Sequence, residues 1–113
     1  MEKKEEIILL PKIFDPRGSL TVTEEMKNIP FHIHRVEYLY GICQGKDLEK
    51  YTEKESYKFY VALSGSFRIT IHEDDDTKRD YMLNRPYQGL LIQGDTHYSI
   101  HDFSNGVVCL EIE

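Results

Sequence analysis

The C-terminal part of the chain, residues 83–113, alternates short apolar runs with turn-forming residues. The apolar runs lie at 89–92 and 107–112, and Gly, Pro, Asn and Asp residues stand beside them at 84–86, 93–95 and 105–106. Short strands separated by tight turns are typical of antiparallel sheets. This stretch therefore predicts the closing strands of a sandwich or barrel.

Similar runs occur along the rest of the chain. We expect a strand at 6–10 and a turn at 14–20 between two short strands. Residues 58–63 and 66–72 are predicted to form a hairpin across Leu63-Ser64-Gly65-Ser66, with a loop at 45–50 and a weak strand or loop at 51–56. Roughly nine or ten strands with turns this regular favour an all-β fold, a small jelly-roll barrel.

Residues 32–42 alternate in a way that differs from a plain core strand. Neither face is uniformly apolar: one holds Ile33, Arg35, Glu37 and Leu39, and the other His34, Val36, Tyr38 and Tyr40. Successive strand residues point to opposite faces, so charged side chains would point at whatever the strand covers. The pattern predicts a polar cavity beneath this strand.

Composition supports a single small domain. With 113 residues the chain can bury one core, and we expect one domain over residues 1–113. Hydrophobic residues make up 40% and aromatic residues 12%, a mixture that suits strands better than a helical bundle. The net charge of −6 argues against nucleic acid or an acidic membrane surface as the main partner.

Four of the first five residues are charged, so we expect a frayed end and no signal peptide there. No apolar run is long enough for a membrane span, and a cytoplasmic location is the default expectation. Cys43 and Cys109 lie in apolar runs without metal-site spacing. Both are therefore expected to be reduced and buried.

Several ordered motifs resemble one enzyme family. They are Asp15-x-Arg17-Gly18-x-Leu20, Ile29-Pro30-Phe31-x-Ile33-x-Arg35-Val36-x-Tyr38, Leu63-Ser64-Gly65-Ser66, Leu83-Asn84-x-Pro86-x-x-Gly89-Leu90-x-Ile92 and His101-Asp102-Phe103-Ser104. In order and spacing they resemble the sugar 3,4-ketoisomerases. These are RmlC-like cupins, also called WxcM-like, that act on dTDP-4-keto-6-deoxyglucose.

The resemblance implies a jelly-roll cupin that forms a homodimer and binds a dTDP-linked deoxysugar at the barrel mouth. It also implies proton transfer: a proton leaves the carbon next to a ketone, an enediol forms, and the neighbouring carbon is reprotonated. This chemistry needs no metal or other cofactor in the family. Pairing across a dimer would cover an edge strand, for which residues 7–10 and 109–112 are candidates.

The resemblance fails at the family's catalytic positions. Counting back from Ser64-Gly65-Ser66, the two positions of the family's His-x-His pair hold Tyr51 and Glu53. A tyrosine common in the family is replaced by Glu37, and the family's Trp-His-Glu aligns with His97-Tyr98-Ser99. The scaffold motifs are kept while the pocket has changed.

Two interpretations stay open. In the first, the chain is an isomerase with a rewired site, which needs a base near the migrating proton and a group that stabilises the enolate. Glu53 or Glu37 would be the base and Tyr51 or Tyr98 the acid, while His97 is of the residue type that exchanges protons near neutral pH. In the second, the chain is a non-catalytic module that binds nucleotide sugars or regulates a partner.

A third interpretation is a metal-binding cupin. The cupin metal pattern needs a His-x-His pair and a Glu on one strand plus a late His, and here Glu53 and His97 are near such positions. His97 stands one residue ahead of the family's histidine, and a one-residue shift turns a strand side chain to the opposite face. We therefore assign no metal ligands.

Four residues are candidates for substrate binding: Arg17, Arg35, Glu37 and Tyr38. Arg17 follows a tight turn and matches a family arginine that would meet phosphate or sugar oxygens. Arg35 would hold a phosphate by bidentate contact or pair with Glu37. Tyr51 and Glu53 share a strand face by period two and would line one cavity if that strand faces inward.

Overall fold

The computed structural model of the protein describes residues 4–43 and 45–113. These ranges contain eleven strands and no helix. The strands are β1 (Glu5–Leu9), β2 (Lys12–Asp15), β3 (Gly18–Thr21), β4 (Val36–Leu39), β5 (Leu48–Thr52), β6 (Tyr57–Ser64), β7 (Phe67–His72), β8 (Lys78–Leu83), β9 (Gln88–Gln93), β10 (Thr96–His101) and β11 (Val108–Ile112). Within the same ranges, no helix has the length and hydropathy to cross a bilayer.

The strands form two large antiparallel sheets and one small hairpin. The five-stranded sheet has the order β1-β9-β6-β11-β4, and the four-stranded sheet has the order β5-β10-β7-β8. Strands β2 and β3 pair with each other as a separate two-stranded unit. The all-β, jelly-roll expectation is confirmed, in the form of two facing sheets rather than one continuous closed barrel.

Strand alternation divides the apolar residues between two clusters. Tyr60 and Ala62 of β6 point between the two large sheets, where they join residues from β7, β9 and β10. Phe59 and Val61 point to the other side of the five-stranded sheet, where Leu10, Ile29 and Phe31 cover them. The first cluster is the core that surrounds the candidate site.

The predicted hairpin at 63–66 is wrong in its pairing. Strands β6 and β7 belong to different sheets, so this turn carries the chain from one sheet to the other. Gly65 has φ +69°, and a Cβ there would lie 2.5 Å from Oγ of Ser104. That Oγ accepts a hydrogen bond from the Ser66 amide at 2.9 Å. The corner therefore depends on a contact with a residue that is distant in sequence.

Other strand predictions need smaller corrections. Strand β5 begins inside the predicted loop at 45–50, and β4 is much shorter than the predicted strand at 32–42. The candidate dimer edge at 109–112 is wrong, because β11 lies between β6 and β4. The candidate at 7–10 is largely correct as an edge, because β1 ends the five-stranded sheet.

The expected frayed end falls partly outside the described residues, which begin at residue 4. For Glu5 the expectation is wrong. Its carboxylate is buried and accepts hydrogen bonds from Nε of Arg79 at 2.6 Å and from the Tyr81 hydroxyl at 2.7 Å. Of the two cysteines, Cys109 is buried as expected, whereas Cys43 is exposed.

Candidate active site

A polar chain of three side chains crosses the apolar core between the sheets. Tyr60 donates its hydroxyl proton to Oε1 of Glu111, and the hydroxyls of Tyr60 and Tyr98 lie 2.7 Å apart. A tyrosine hydroxyl has one proton, and that of Tyr60 is directed at the carboxylate, so Tyr98 donates to Tyr60. The two tyrosines are 1% and 0% exposed, and Glu111 is also buried. The result is a buried relay from Tyr98 through Tyr60 to Glu111.

Strand register places these groups side by side. Tyr60 on β6 and Glu111 on β11 are direct partners in the antiparallel ladder, so their side chains leave the sheet on the same face. Tyr98 reaches them from β10 of the opposite sheet, and its ring meets that of Tyr60 edge-on at a centroid distance of 5.7 Å. The relay thus connects the two sheets.

Burial keeps both tyrosines protonated. Loss of solvent contact is the main reason that the pKa of Tyr98 rises to about 12. Burial also raises the pKa of Tyr60 far above its usual range, and the neighbouring Tyr98 and Glu111 add to the effect. Both groups are therefore neutral hydrogen-bond donors at physiological pH.

Lys58 supplies a positive charge near the end of the relay. Its Nζ lies 3.9 Å from Oε2 of Glu111 and forms a closer ion pair with Glu113. The hydrogen bond from Lys58 is the main reason that the pKa of Glu113 is lowered. Lys58 therefore partly compensates the charge that a buried Glu111 carboxylate carries.

A cavity of about 240 Å³ lies beside the relay, between the edge strands β4 and β5. Its lining is Glu37, Tyr38, Leu39, Leu48, Lys50, Tyr60, Ile100, Cys109 and Glu111. Glu37 and Glu111 are register partners on β4 and β11, so both carboxylates are on the cavity side of the sheet. The predicted polar cavity beneath this strand is present.

A second, larger cavity lies at the end of β5. It measures about 480 Å³, and its lining is Phe31, His32, His34, Tyr51, Glu53, Glu55, Ser56, Tyr57, Lys58 and Glu113. Lys58 lines this cavity and pairs with Glu111, which lines the first one. This ion pair therefore joins a residue of one cavity lining to a residue of the other.

Tyr51 and Glu53 line the second cavity together, but on its solvent side. Tyr51 is 60% exposed, whereas Thr52 between them is buried in the core. The Tyr51 hydroxyl donates to Oδ1 of Asp95 at 3.2 Å, and this hydrogen bond is the main reason that its pKa is raised. The positions that align with the family's His-x-His pair are thus on the rim and not in the interior.

His97 and Tyr98 point to opposite faces of the four-stranded sheet. Tyr98 is in the core, whereas Nε2 of the exposed His97 lies 2.9 Å from Oε2 of Glu49. The expectation of opposite faces from the one-residue shift is confirmed. The described residues that line the interior cavity include no histidine, so the interior metal interpretation lacks its ligands.

Comparison with known proteins identifies the family. Residues 3–112 match the family FdtA, described as WxcM-like, C-terminal. The chain belongs to this family. The match covers nearly the whole sequence and includes the residues of the relay and of the smaller cavity.

Relatives of this FdtA-family chain are similar over nearly its full length. The TDP-4-oxo-6-deoxy-alpha-D-glucose-3,4-oxoisomerase of Aneurinibacillus thermoaerophilus is 34% identical over 110 residues, which is 97% of this chain and 77% of that protein. The sugar 3,4-ketoisomerase QdtA of Thermoanaerobacterium thermosaccharolyticum, solved in complex with TDP, has a TM-score of 0.91 at 28% identity, covering 99% and 81% of the two chains. The TDP-quinovose 3,4-ketoisomerase WlaRB of Campylobacter jejuni has a TM-score of 0.89 at 30% identity, covering 98% and 85%.

The four candidate substrate-binding residues of the FdtA-family chain occupy different places. Arg17 is at the tip of the β2–β3 hairpin, 91% exposed, and bonds to Asp15. Arg35 pairs with Glu37 and lies 3.7 Å from Oε1 of Glu113. Glu37 and the largely exposed Tyr38 line the smaller cavity. Three of the four are therefore on or next to β4, and Arg17 is on the separate hairpin.

Sequence reasoning did not select Tyr60, Lys58 or Glu111. A signal for Glu111 is present, because it is the one charged residue in the apolar run 107–112. Because side chains alternate along a strand, Glu111 points to the same face as Cys109, which is the core face, whereas Leu110 and Ile112 point to the other face. Buried carboxylates are rare unless they are paired or functional.

Proposed function

We propose that this protein is a sugar 3,4-ketoisomerase that acts on a dTDP-linked 4-keto-6-deoxyhexose. Two observations support the proposal: the chain belongs to the FdtA family, and a buried Tyr98–Tyr60–Glu111 relay borders a cavity in its core. The second observation carries the mechanism, because a carboxylate beside neutral phenols provides a base and a hydrogen-bond donor in one place.

In the proposed reaction, Glu111 removes the proton from C3 of the 4-keto sugar. The electron pair of that C–H bond forms the C3–C4 double bond, and the former ketone oxygen O4 becomes an enolate. Once Glu111 is protonated it no longer needs the Tyr60 proton, and the Tyr60 hydroxyl turns to O4 and stabilises this charge by hydrogen bonding. O4 then gains a proton as O3 loses one, and protonation at C4 gives the 3-ketone. The step needs no metal and no redox cofactor.

Tyr98 has a positioning role in this scheme. It is not among the residues that line the smaller cavity, and it reaches Glu111 through Tyr60. Its hydroxyl donates to Tyr60 and keeps the Tyr60 proton directed at Glu111. Glu37 is the second carboxylate in the cavity, and it is already paired with Arg35.

Glu53, Tyr51 and His97 remain alternative acid–base groups. Glu53 and Tyr51 line the larger cavity, where a substrate that bridges the two cavities would meet them near Lys58. His97 faces the outer side of the sheet and would need a different binding mode. We place the chemistry at Glu111 because desolvation in the core strengthens every interaction with the developing charge.

For the nucleotide, we propose binding at the mouth formed by β4 and β5. QdtA has been solved with TDP and, as a single-site mutant, with TDP-4-keto-6-deoxyglucose. In this chain, Lys50 lines the cavity, Arg35 pairs with Glu37 of its lining, and Tyr38 offers a ring for stacking. Arg17 is on the separate β2–β3 hairpin, and we propose that it meets a diphosphate in an assembly of two chains.

We also propose that the protein is a cytoplasmic homodimer that supplies deoxysugars for polysaccharide biosynthesis. The β2–β3 hairpin exposes Phe14 at 80%, along with Ile13 and Leu20. A groove of about 520 Å³, lined by Leu63, Leu110 and residues of the hairpin, lies on the outer side of the five-stranded sheet. Packing of two such surfaces would bury these side chains, and a monomer by analytical ultracentrifugation at micromolar concentration would contradict the dimer.

The alternative function is a non-catalytic module that binds nucleotide sugars. It is favoured by one observation, which is that Tyr51 and Glu53 occupy the positions of the family's catalytic histidine pair. In that case the buried relay would only hold the two sheets together. The two functions differ in turnover and not in affinity for dTDP.

One experiment separates them. The protein is incubated with dTDP-4-keto-6-deoxyglucose and the products are followed by NMR, while dTDP binding is measured by calorimetry. The isomerase proposal predicts a 3-keto product together with dTDP binding. Binding of dTDP without product at high protein concentration would favour the binding module, and the absence of both would contradict the proposed ligand.

A further inference from the structure

Three potential metal ligands come together on the outer face of the four-stranded sheet. Glu49 of β5, His97 of β10 and His72 of β7 have donor atoms that all lie within 4.8 Å of one another. This face is opposite the one that carries Tyr98, the relay residue of this sheet. We propose that Glu49, His72 and His97 form a Zn²⁺-binding site, separate from the proposed active site.

Strand register fixes the positions of the three ligands. His97 is the direct partner of His72 in the β10–β7 ladder, and Glu49 is the partner of Ser99, two residues further along β10. Side chains of direct partners leave the sheet on the same face with Cβ atoms about 5 Å apart. A site on three hydrogen-bonded strands is better defined than one on loops.

The distances between the three donor atoms would suit a small divalent ion if the side chains moved slightly closer together. Nε2 of His97 lies 2.9 Å from Oε2 of Glu49, and the rings of His72 and His97 are stacked with centroids 4.6 Å apart. Tetrahedral zinc with bonds near 2.0–2.2 Å separates its ligand atoms by about 3.4 Å. Rotation of two partly exposed side chains can supply the difference from 4.8 Å.

The ligand chemistry also matches zinc. Two imidazoles and one carboxylate are a common zinc ligand set that leaves the fourth position for water. Oγ of Ser99 lies 3.1 Å from Nε2 of His72 and can hold that ring in a fixed orientation, as outer partners of metal ligands do. A surface ion pair would explain why Glu49 lies beside His97. It does not explain why the imidazole of His72 stacks on that of His97.

Zinc at this position would connect three strands. Strand β5 is an edge of its sheet and contributes Lys50 to the smaller cavity. A bound ion would tie this edge to β10 and β7 and so stabilise the folded state in proportion to its occupancy.

The test uses the tag-free full chain, stripped with chelator and titrated with Zn²⁺ alone by calorimetry. Co²⁺ is used in parallel because its visible spectrum reports tetrahedral coordination. We expect one saturable site per chain, at least about tenfold weaker in His72→Asn and in His97→Asn, and weakened less by Ser99→Ala. His34→Asn is the matched control, because His34 is an exposed histidine outside this cluster.

The outcomes separate clearly. Loss of affinity in both cluster variants, with wild-type affinity in His34→Asn and a wild-type circular dichroism spectrum in all variants, supports the site. The proposal is overturned by the absence of saturable Zn²⁺ binding. It is also overturned if either His72→Asn or His97→Asn binds within about twofold of wild type, since each supplies one ligand of three.

Discussion

Tyr60 donates its hydroxyl proton to Glu111 across neighbouring strands, inside a core that is otherwise largely apolar. Burial of a carboxylate is costly, and only well-formed hydrogen bonds and nearby charge offset the cost. Tyr60 supplies the hydrogen bond and Lys58 the nearby positive charge, both from β6. A polar group held this deeply beside a cavity is typical of a functional site.

Removal of the central hydroxyl should cost more stability than removal of the terminal one. Tyr60→Phe leaves Glu111 without its donor and Tyr98 without its acceptor, and we expect a loss of roughly 1–3 kcal/mol in the free energy of unfolding. Tyr98→Phe removes one donor to Tyr60 and should cost less. Urea denaturation measures both, and an equal or larger loss in Tyr98→Phe would contradict the direction of the relay.

The Lys58–Glu113 ion pair should make stability depend on acid pH. Lys58 lowers the pKa of Glu113 in the folded state, so this interaction stabilises the fold above the ordinary glutamate pKa of 4.5. Its contribution is lost as pH falls through the lowered value. The stability advantage of wild type over Lys58→Met should therefore shrink between pH 6 and about pH 3. The exposed Lys54→Met is the control, and a constant advantage across this range would refute the prediction.

Gly89 should not tolerate a side chain. A Cβ at this position would lie 2.2 Å from Cζ of Phe59, which is fully buried. Gly89→Ala should lower stability by roughly 1–3 kcal/mol, because the ring has little room to move. Combining it with Phe59→Leu should recover part of this loss, which a double-mutant cycle from thermal unfolding measures. Full additivity of the two changes would show that the ring is not the cause.

Replacement of Arg79 should lower stability far more than replacement of its exposed neighbour Lys78. Its guanidinium bonds to the fully buried carboxylate of Glu5 and to Glu73. Arg79→Leu would leave the Glu5 charge buried with weaker compensation, at a cost of roughly 3–5 kcal/mol. Lys78→Leu, at the next position on β8, should change stability by less than about 0.5 kcal/mol. Similar denaturation midpoints for the two variants would contradict this assignment.

The all-β fold class could be predicted from the alternation of apolar runs with turn residues. The sheet to which each strand belongs could not. The turn at 63–66 has the same residue types whether it closes a hairpin or carries the chain to the other sheet. The choice depends on Ser104, whose Oγ holds the Ser66 amide from 38 positions away. A contact of this kind has no local signature.

The candidate site was predicted in part. Tyr98 was selected from its alignment with a family histidine, and it is in the core, where its hydroxyl lies 2.7 Å from that of Tyr60. Tyr60 and Glu111 were missed because their meeting depends on the pairing of β6 with β11 over 51 positions. Tyr51 and Glu53 were aligned with the family's histidine pair by counting back from Ser64-Gly65-Ser66. Because Thr52 between them is buried, strand alternation puts both of them on the rim of the larger cavity.

The most direct test of the account is the exchange of the C3 proton of dTDP-4-keto-6-deoxyglucose in D₂O, followed by NMR. Wild-type protein should exchange this proton for deuterium in the substrate, because the enolate reverts in D₂O, and the 3-keto product should carry deuterium at C4. Glu111→Gln should slow exchange at least about 100-fold with dTDP affinity nearly unchanged, whereas Glu53→Gln should exchange at close to the wild-type rate. Wild-type exchange in Glu111→Gln, or its loss in Glu53→Gln alone, would contradict a base located in the core.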